Sequence, residues 1–231
     1  GDDCLAGFAN TNVFVSKCTL NSACSAMRFG GTNVFVDKCR IYGPCKYLFR
    51  GSLSDEEKRN GVIPELSGHR NNMLSVFTYY GDYSADIPNK PGNIVISDCT
   101  ADGADKLLHY NYSGNEWWQI NRPLTSITFE NIEAKNLSMP SILYGDSRDK
   151  VFFNMKDCRI SMKAGCENTE FIRAANYDEI VMENVEIENY AAKTLIKTWT
   201  DGKLSLIGLK CGLKQKNFIE KTDEKFECKP I

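Results

Sequence analysis

The side chains best suited to move a proton near neutral pH are His69 and His109, the only two histidines in the chain. His69 stands in a polar stretch, residues 68–72, and His109 stands between Leu108 and Tyr110. Each position fits a general acid or base, and each also fits a histidine that is hydrogen-bonded for structural reasons. Both residues are therefore candidate substrate contacts, and the sequence leaves both roles open.

Basic and hydroxyl-bearing side chains recur at matching positions of several short apolar segments. If these positions stack on an outward face, they form a groove in which arginine would pair its planar guanidinium with a carboxylate. Arg28, Lys46 and Arg50 are the candidate substrate contacts of this groove. The alternative is a solvated face whose charges pair among themselves. The residues at or near this column are Arg28, Lys46, Arg50, His109, Tyr144, Arg173, Lys197 and Glu220.

A third set of candidates is aromatic. Tyrosine and tryptophan rings suit the apolar C–H faces of sugars, and they also anchor loops to a core. Trp117 and Trp118 lie in a stretch rich in Gly, Asn and Ser, which favours a surface position. The cluster consists of Tyr79, Tyr80, Tyr83, Tyr110, Tyr112, Trp117 and Trp118, of which Tyr80, Tyr112 and both tryptophans are candidate sugar contacts.

Short strands must position these candidates, because the chain repeats itself. Residues 12–18 and 33–39 match almost residue for residue at an offset of 21, and each copy ends in cysteine. Weaker copies follow, with the alternation of β-branched and aromatic residues that is typical of a strand. Most copies are followed by a polar turn and a second short apolar strand. The copies close at residues 18, 39, 99, 132, 158, 185 and 211.

Repeats of this length, with two or three strands each, predict a parallel β-helix in which every coil buries its inward face against its neighbours. The expected fold is an all-β, single-stranded parallel β-helix of seven to eight coils, formed as one domain by residues 1–231. A leucine-rich repeat would show its Leu/Asn signature, and a propeller blade would need a longer period. Convincing helical periodicity is nearly absent.

Two gaps in the repeat predict loops that leave the stack of strands. The first covers residues 51–92 and contains His69, and the second covers residues 110–123 and contains Trp117. Insertions in repeat proteins usually leave on one face, which is often the binding face. We therefore expect binding residues where these excursions meet the strands.

The composition narrows the range of functions. A net charge of −2 argues against a general nucleic-acid binder, which would be basic. The sequence contains no run of eighteen apolar residues, so it predicts no membrane-spanning helix. Two distant histidines and no Cys-x-x-Cys pair predict neither a metal site nor a cofactor, although Asp82 and Asp86 are carboxylates that Ca²⁺ could use.

The ten cysteines follow the repeat. Five of them close a copy, at the position that Ile132 and Val185 take in other copies, so this position is apolar. We expect an inward ladder of largely unpaired thiols. Cys24 and Cys45 stack by the same offset and could form a disulfide. The five cysteines of the ladder are Cys18, Cys39, Cys99, Cys158 and Cys211.

The opening residues Gly1-Asp2-Asp3-Cys4, with the Asn-Val-x-Val-x-x-Cys copies, resemble the polygalacturonase family of pectin-degrading glycoside hydrolases. The resemblance implies a right-handed β-helix. It also implies that Asp2 and Asp3 are catalytic in an inverting hydrolysis, in which one carboxyl protonates the leaving oxygen and another activates water. Adjacent strand residues face opposite sides, so both carboxylates reach one cleft only at a turn. The alternative is a pair of turn or terminal residues.

The other motifs of that family are altered or lie elsewhere. A third carboxylate of the family would precede residue 1 by about one coil. The 21-residue offset places Cys24 where the family has Gly-His-Gly, and it places residues 48–50 where the family has Arg-Ile-Lys. Arg50 would then stand in for the lysine of that motif.

The expected function is hydrolysis of glycosidic bonds in an acidic plant polysaccharide such as pectin, in an extracellular or periplasmic location. The alternatives are a non-catalytic polysaccharide-binding or structural β-helix and an inactive fragment of an enzyme. The expected partner is an acidic polysaccharide or oligosaccharide, with no nucleic acid and no membrane. A chain that begins at residue 1 would have an uncapped first coil, through which self-association is expected.

Overall fold

The computed structural model describes residues 2–46, 53–62, 73–81, 90–112 and 122–223, and within these ranges the chain is built mainly of short strands. Every pair of neighbouring strands is parallel. The strands are β1 (Leu5–Ser16), β2 (Thr19–Leu20), β3 (Ser25–Asp37), β4 (Arg40–Tyr42), β5 (Met73–Tyr79), β6 (Gly92–Ser97), β7 (Thr100–Asp102), β8 (Ala104–Asn111), β9 (Ser126–Glu130), β10 (Glu133–Leu137), β11 (Ser141–Tyr144), β12 (Val151–Lys156), β13 (Arg159–Met162), β14 (Ile172–Ala175), β15 (Tyr177–Glu183), β16 (Glu186–Glu188), β17 (Ile196–Thr198), β18 (Lys203–Ile207) and β19 (Ile219–Lys221).

These strands stack in three rows, which we call walls 1, 2 and 3. Wall 1 contains the first part of β1 and β3, then β5, β8, β11, β14, β17 and β19. Wall 2 contains the second part of β1 and β3, then β6, β9, β12, β15 and β18, and wall 3 contains β2, β4, β7, β10, β13 and β16. Because β1 and β3 run through both, walls 1 and 2 form one 13-stranded sheet. The prediction of an all-β chain of parallel strands is confirmed, and the arrangement is compatible with a solenoid.

Wall 2 shows why the sequence repeats. In β6 and β12 every second residue is buried, so Ile94, Ile96, Phe153 and Met155 face the interior. The parallel register places each of them on the matching residue of the next strand, and Phe129 packs on Phe153 with ring centroids 6.0 Å apart. Full burial of such a side chain stabilises the fold by about 1.5–3 kcal/mol.

The corner between walls 2 and 3 has a constant structure. The six connections from β1, β3, β6, β9, β12 and β15 to the following strand each take two residues. The first has a left-handed backbone with φ between 50° and 67°, which Asn, Asp and Gly tolerate best. Its N–H donates to the next layer, as from Asn131 to the Lys156 carbonyl at 2.9 Å. These residues, with the equivalent residue after β18, are Lys17, Lys38, Asp98, Asn131, Asp157, Asn184 and Gly208.

The second corner residue is the position at which the repeat was seen to close, and from Cys39 to Val185 it is buried. All nine cysteines in the described part of the chain are free, Cys24 and Cys45 included, so the expected thiol ladder is confirmed. Cys211 was placed wrongly in it. The bridge between Glu186 and Lys210 puts Cys211 beside Ile187 on wall 3, because the corner after β18 closes two residues earlier.

The first excursion is shorter than the prediction of 51–92, because β5 belongs to wall 1 and lies between β3 and β8. All seven residues of β5 are buried, so its sequence lacks the alternation that marks the other strands. The described residues of the excursion, 53–62, include a short helix, α1 (Asp55–Arg59), with Ser54 and Glu57 forming a reciprocal cap. The second excursion begins after Asn111, where β8 ends. In the described ranges, no helix combines the length and apolar character required to cross a membrane.

Candidate functional site

The candidate site lies on the outward face of wall 1, along one register column. Five of the eight residues predicted for the column share it, and Thr78 and Ile142 fill positions that the prediction missed. Tyr144 lies two residues further along its strand, opposite Asn111 and Ala175. From one end to the other the column reads Ala6, Arg28, Thr78, His109, Ile142, Arg173, Lys197 and Glu220.

The register corrects the mapping of the first residues. In wall 2 the offset between β1 and β3 is 21, as Val13 pairs with Val34, but in wall 1 it is 22, as Ala6 pairs with Arg28. An irregularity between Gly7 and Asn10 adds one residue to β1 and causes the change. The layer after Asp3 therefore presents Ser25 rather than Cys24, and Ser75 follows in β5.

Arg28 is held on two sides. Its Nε lies 2.7 Å from Oδ2 of Asp3, and its guanidinium carbon lies 4.9 Å from the centroid of the Tyr80 ring. The Ser25 N–H donates to the other Asp3 oxygen at 2.9 Å. Arg28 keeps 19% of its side chain exposed and Asp3 keeps 10%. One terminal nitrogen, Nη2, donates to the Cys24 Sγ at 3.9 Å. The arginine is thus oriented before any ligand arrives.

Opposing influences act on the pKa of Asp3. Burial raises the pKa of its carboxyl above the usual range, although the Ser25 N–H and the Arg28 charge act in the opposite direction. The neighbouring Asp2 is exposed, and its Oδ1 accepts from the Asp3 N–H at 2.9 Å. One oxygen of each carboxyl group lies within 4.8 Å of the other, so the two groups lie on the same side of the chain.

Asp2, Asp3 and Cys24 form the one group of possible metal ligands found among the described residues, with one donor atom of each within 4.8 Å of the others. Arg28 already supplies a positive charge to this group. Burial, followed by the negative charge of Asp3, raises the pKa of the Cys24 thiol to about 11, so the sulfur is protonated rather than a thiolate ligand. The set therefore fits a hydrogen-bonded cluster better than a metal centre.

The separation of two carboxyl groups decides their chemistry in a glycosidase. An inverting enzyme separates them by about 6.5–9.5 Å to admit a water, and a retaining one by about 5–5.5 Å. One oxygen of Asp2 and one of Asp3 lie within 4.8 Å of each other, so the two groups are neighbours. The inverting role that the family resemblance implies stays a prediction.

A buried hydroxyl cluster lies next to Arg28 in the column. The Thr78 Oγ1 is 2.7 Å from the Ser25 Oγ and 2.6 Å from the Ser75 Oγ, and none of the three residues is more than 1% exposed. Their hydroxyl groups satisfy one another, which allows polar residues inside the wall. Sequence reasoning missed them because β5 lies outside the repeat and single serines carry no distinctive signal.

His109 follows Thr78 in the column and is buried, with 4% of its surface exposed. The Lys106 Nζ lies 3.4 Å from its Nδ1, so the ammonium donates and Nδ1 is the unprotonated nitrogen. Burial lowers the pKa of His109 to about 3, and the charges of Lys106 and Arg28 act in the same direction. This neutral, enclosed imidazole supports the wall around Arg28, and its role as a substrate contact stays a prediction.

The other predicted contacts are dispersed. Lys46 follows wall 3, where its N–H donates to the Asn21 Oδ1 at 2.6 Å, because the excursion begins before wall 1 is reached. Tyr112 packs against the hydrophobic core, and its N–H donates to the Tyr144 carbonyl at 2.8 Å. Tyr80 lies at the site, against Arg28. Arg50, His69, Trp117, Trp118, Asp82 and Asp86 lie outside the described residues.

Comparison of the chain with protein-family models, with curated proteins and with solved structures finds no match. The class of the protein is therefore defined by its parallel strands in three walls and by the Asp3–Arg28 site on wall 1.

Proposed function

We propose that the three walls form a right-handed, single-stranded parallel β-helix of seven to eight coils that binds an acidic polysaccharide on the outward face of wall 1. Eight strand segments in wall 1 and seven in wall 2 support the number of coils. Right-handed connections between parallel strands are the rule, which supports the handedness.

One observation carries the binding function: the Arg28 guanidinium is fixed by Asp3 and by the Tyr80 ring while 19% of its side chain stays exposed. A fixed guanidinium offers two parallel N–H donors to a sugar carboxylate and loses little side-chain entropy on binding. The ring of Tyr80 adds an apolar surface of the kind that sugar C–H faces contact. A uronate residue of a pectin-like chain provides both partners.

Hydrolysis is the second candidate, and the raised pKa of Asp3 favours it. A carboxyl whose pKa is raised by burial is better suited to protonate a glycosidic oxygen, and the exposed Asp2 beside it provides the second carboxyl group.

Calorimetric titration with oligogalacturonides tests the binding function. Arg28→Lys keeps the charge but removes the planar fork, so we expect affinity to fall by roughly tenfold, the equivalent of about 1.5 kcal/mol for a charge-assisted hydrogen bond. Arg40→Lys is the matched control, because Arg40 lies over the Tyr42 ring at 5.4 Å on wall 3. Equal affinities of the two variants, or equal binding of a neutral oligosaccharide, would contradict the proposal.

Release of reducing ends from polygalacturonate, measured in parallel, tests hydrolysis. Asp2→Asn retains an oxygen for the Asp3 N–H and leaves the Asp3–Arg28 pair in place. We expect this variant to bind as the unaltered chain does and to release no reducing ends. Binding without release by the unaltered chain would reject hydrolysis and leave the binding function in place.

A further inference from the structure

A second patch of wall 1 lies far along the column from Arg28. Here the rings of Tyr144 and Trp199 meet almost at right angles, at 87°, with centroids 5.7 Å apart. Tyr144 lies in β11, where its register partner is Ala175 of β14, and Trp199 directly follows β17 on the other side of β14. The small side chain of Ala175 leaves the gap over which the rings touch, so two partly exposed aromatic surfaces meet on the outward face.

Cations flank this aromatic pair. The Lys197 Nζ lies 5.6 Å from the centroid of the Trp199 ring. Arg173 is the register partner of Lys197, and its Nε is bound by Glu170. A guanidinium has five N–H donors, so the pairing with Glu170 fixes the side chain and leaves the terminal groups for a ligand. Lys193 adds a third, exposed positive charge.

A groove of about 440 Å³ opens beside this patch, and Lys197 and Arg173 belong to its lining. Asn168 also lines the groove, and its amide provides both a donor and an acceptor. Among the described residues that line it, three cations stand against two carboxylates, Glu170 and Glu220, which leaves an excess of one positive charge.

We propose that this groove and the adjoining Trp199 ring form a second binding site for an acidic sugar, with the ring against its apolar face and Lys197 and Arg173 on its carboxylate. The choice of an acidic sugar rests on the proposed function, but the site itself needs no contribution from Arg28. Five strand spacings separate Lys197 from Arg28 in the column, a distance of about 24 Å. One extended polymer occupies both sites, and its affinity then exceeds that of a short fragment.

Nuclear magnetic resonance of the three tryptophan indole N–H groups tests this site, with digalacturonate as the probe. The Trp199 signal is the one that disappears in Trp199→Phe. We expect digalacturonate to shift this signal, and Lys197→Gln to weaken the binding that it reports by about fivefold, the range of an exposed ion pair. Lys203→Gln is the control, because Lys203 lies on wall 2, where it pairs with Glu179 at 2.9 Å.

The test separates the two sites. Arg28→Lys leaves the Trp199 shift in place if the second site is independent, and a shift lost in Arg28→Lys overturns that independence. No shift of the Trp199 signal at saturating digalacturonate, or the same shift with a neutral disaccharide, overturns the second site.

If the second site is overturned but binding still depends on Arg28, the proposed function stands without the second site. If the Trp199 shift is found and Arg28→Lys has no effect on calorimetric binding, the second site stands and the first falls.

Discussion

Arg28 shows how a charged side chain is retained in the wall of this molecule. Its partner Asp3 neutralises it at 2.7 Å, and the Tyr80 ring covers one face of the guanidinium. A partly buried charge without such a partner would be costly, so removal of Asp3 would affect the fold as well as any ligand. Asp2 has an exposed side chain, so a substitution there tests hydrolysis with less effect on the fold.

His109 makes stability depend on pH. Its folded-state pKa of about 3 lies below the value of 6.5 for a free imidazole, so the unfolded chain binds the extra proton first. The stability contributed by the neutral ring is complete above pH 6.5 and is lost as the pH falls toward 3. Between pH 6.5 and 4.5 we expect a loss of about 2–3 kcal/mol in the free energy of unfolding, measured by urea denaturation.

His109→Asn isolates this contribution, because an amide oxygen replaces Nδ1 as the acceptor for Lys106 and has no proton to gain. We expect its stability to fall less steeply over the same pH interval. The raised pKa of Asp3 produces a slope of opposite sign, and it remains the same in both proteins. Identical pH profiles of the two proteins would show that His109 does not remain neutral when buried.

Individual strands differ in how well the sequence reveals them. Wall 2 is visible because one face of each strand is buried and the other is solvated, as in β12. The sequence pattern does not predict β5, because both faces of this strand are buried and its residues do not alternate. The bulge between Gly7 and Asn10 is also invisible, since one extra residue changes neither composition nor alternation nearby. The column from Arg28 to Lys197 was therefore predictable in outline, whereas Ser25, Ser75 and Thr78 were not.

The left-handed residues at the corner between walls 2 and 3 allow a test of how much the backbone conformation contributes to stability. Asn131 has φ of 51°, and its Nδ2 donates to the Asp98 Oδ1 at 2.6 Å. Asn131→Ala places a Cβ in a disfavoured conformation and removes the side-chain bond, so we expect a loss of about 1–2 kcal/mol in the free energy of unfolding. Asn131→Gly relieves the strain and removes only the exposed bond, so it separates the two effects. Equal losses in both variants would show that the backbone conformation contributes little.

The molecule as a whole is stabilised layer by layer, because each strand of wall 2 contacts only its two neighbours in that wall. Phe129 lies in the middle of the stack and is fully buried, whereas Leu204 in β18 pairs with β15 alone and is partly exposed.

We expect Phe129→Ala to lower the free energy of unfolding by about 3–5 kcal/mol and Leu204→Ala by about 1 kcal/mol. Denaturant unfolding gives both values, and hydrogen exchange shows how far each effect spreads. We expect protection to be lost widely in Phe129→Ala and only around β18 in Leu204→Ala. Equal losses, spread over all layers, would show that the layers unfold as a single unit.

The constant two-residue corner between walls 2 and 3 determines where this protein tolerates insertions. An added residue there would turn every following side chain to the opposite face. The other two corners already vary, from one residue between β7 and β8 to thirty between β4 and β5, and from one residue between β14 and β15 to fourteen between β8 and β9. Both variable corners border wall 1. Insertions at these two corners can therefore lengthen the rims around wall 1, the proposed binding face, while the interior and its thiol ladder keep their sequence.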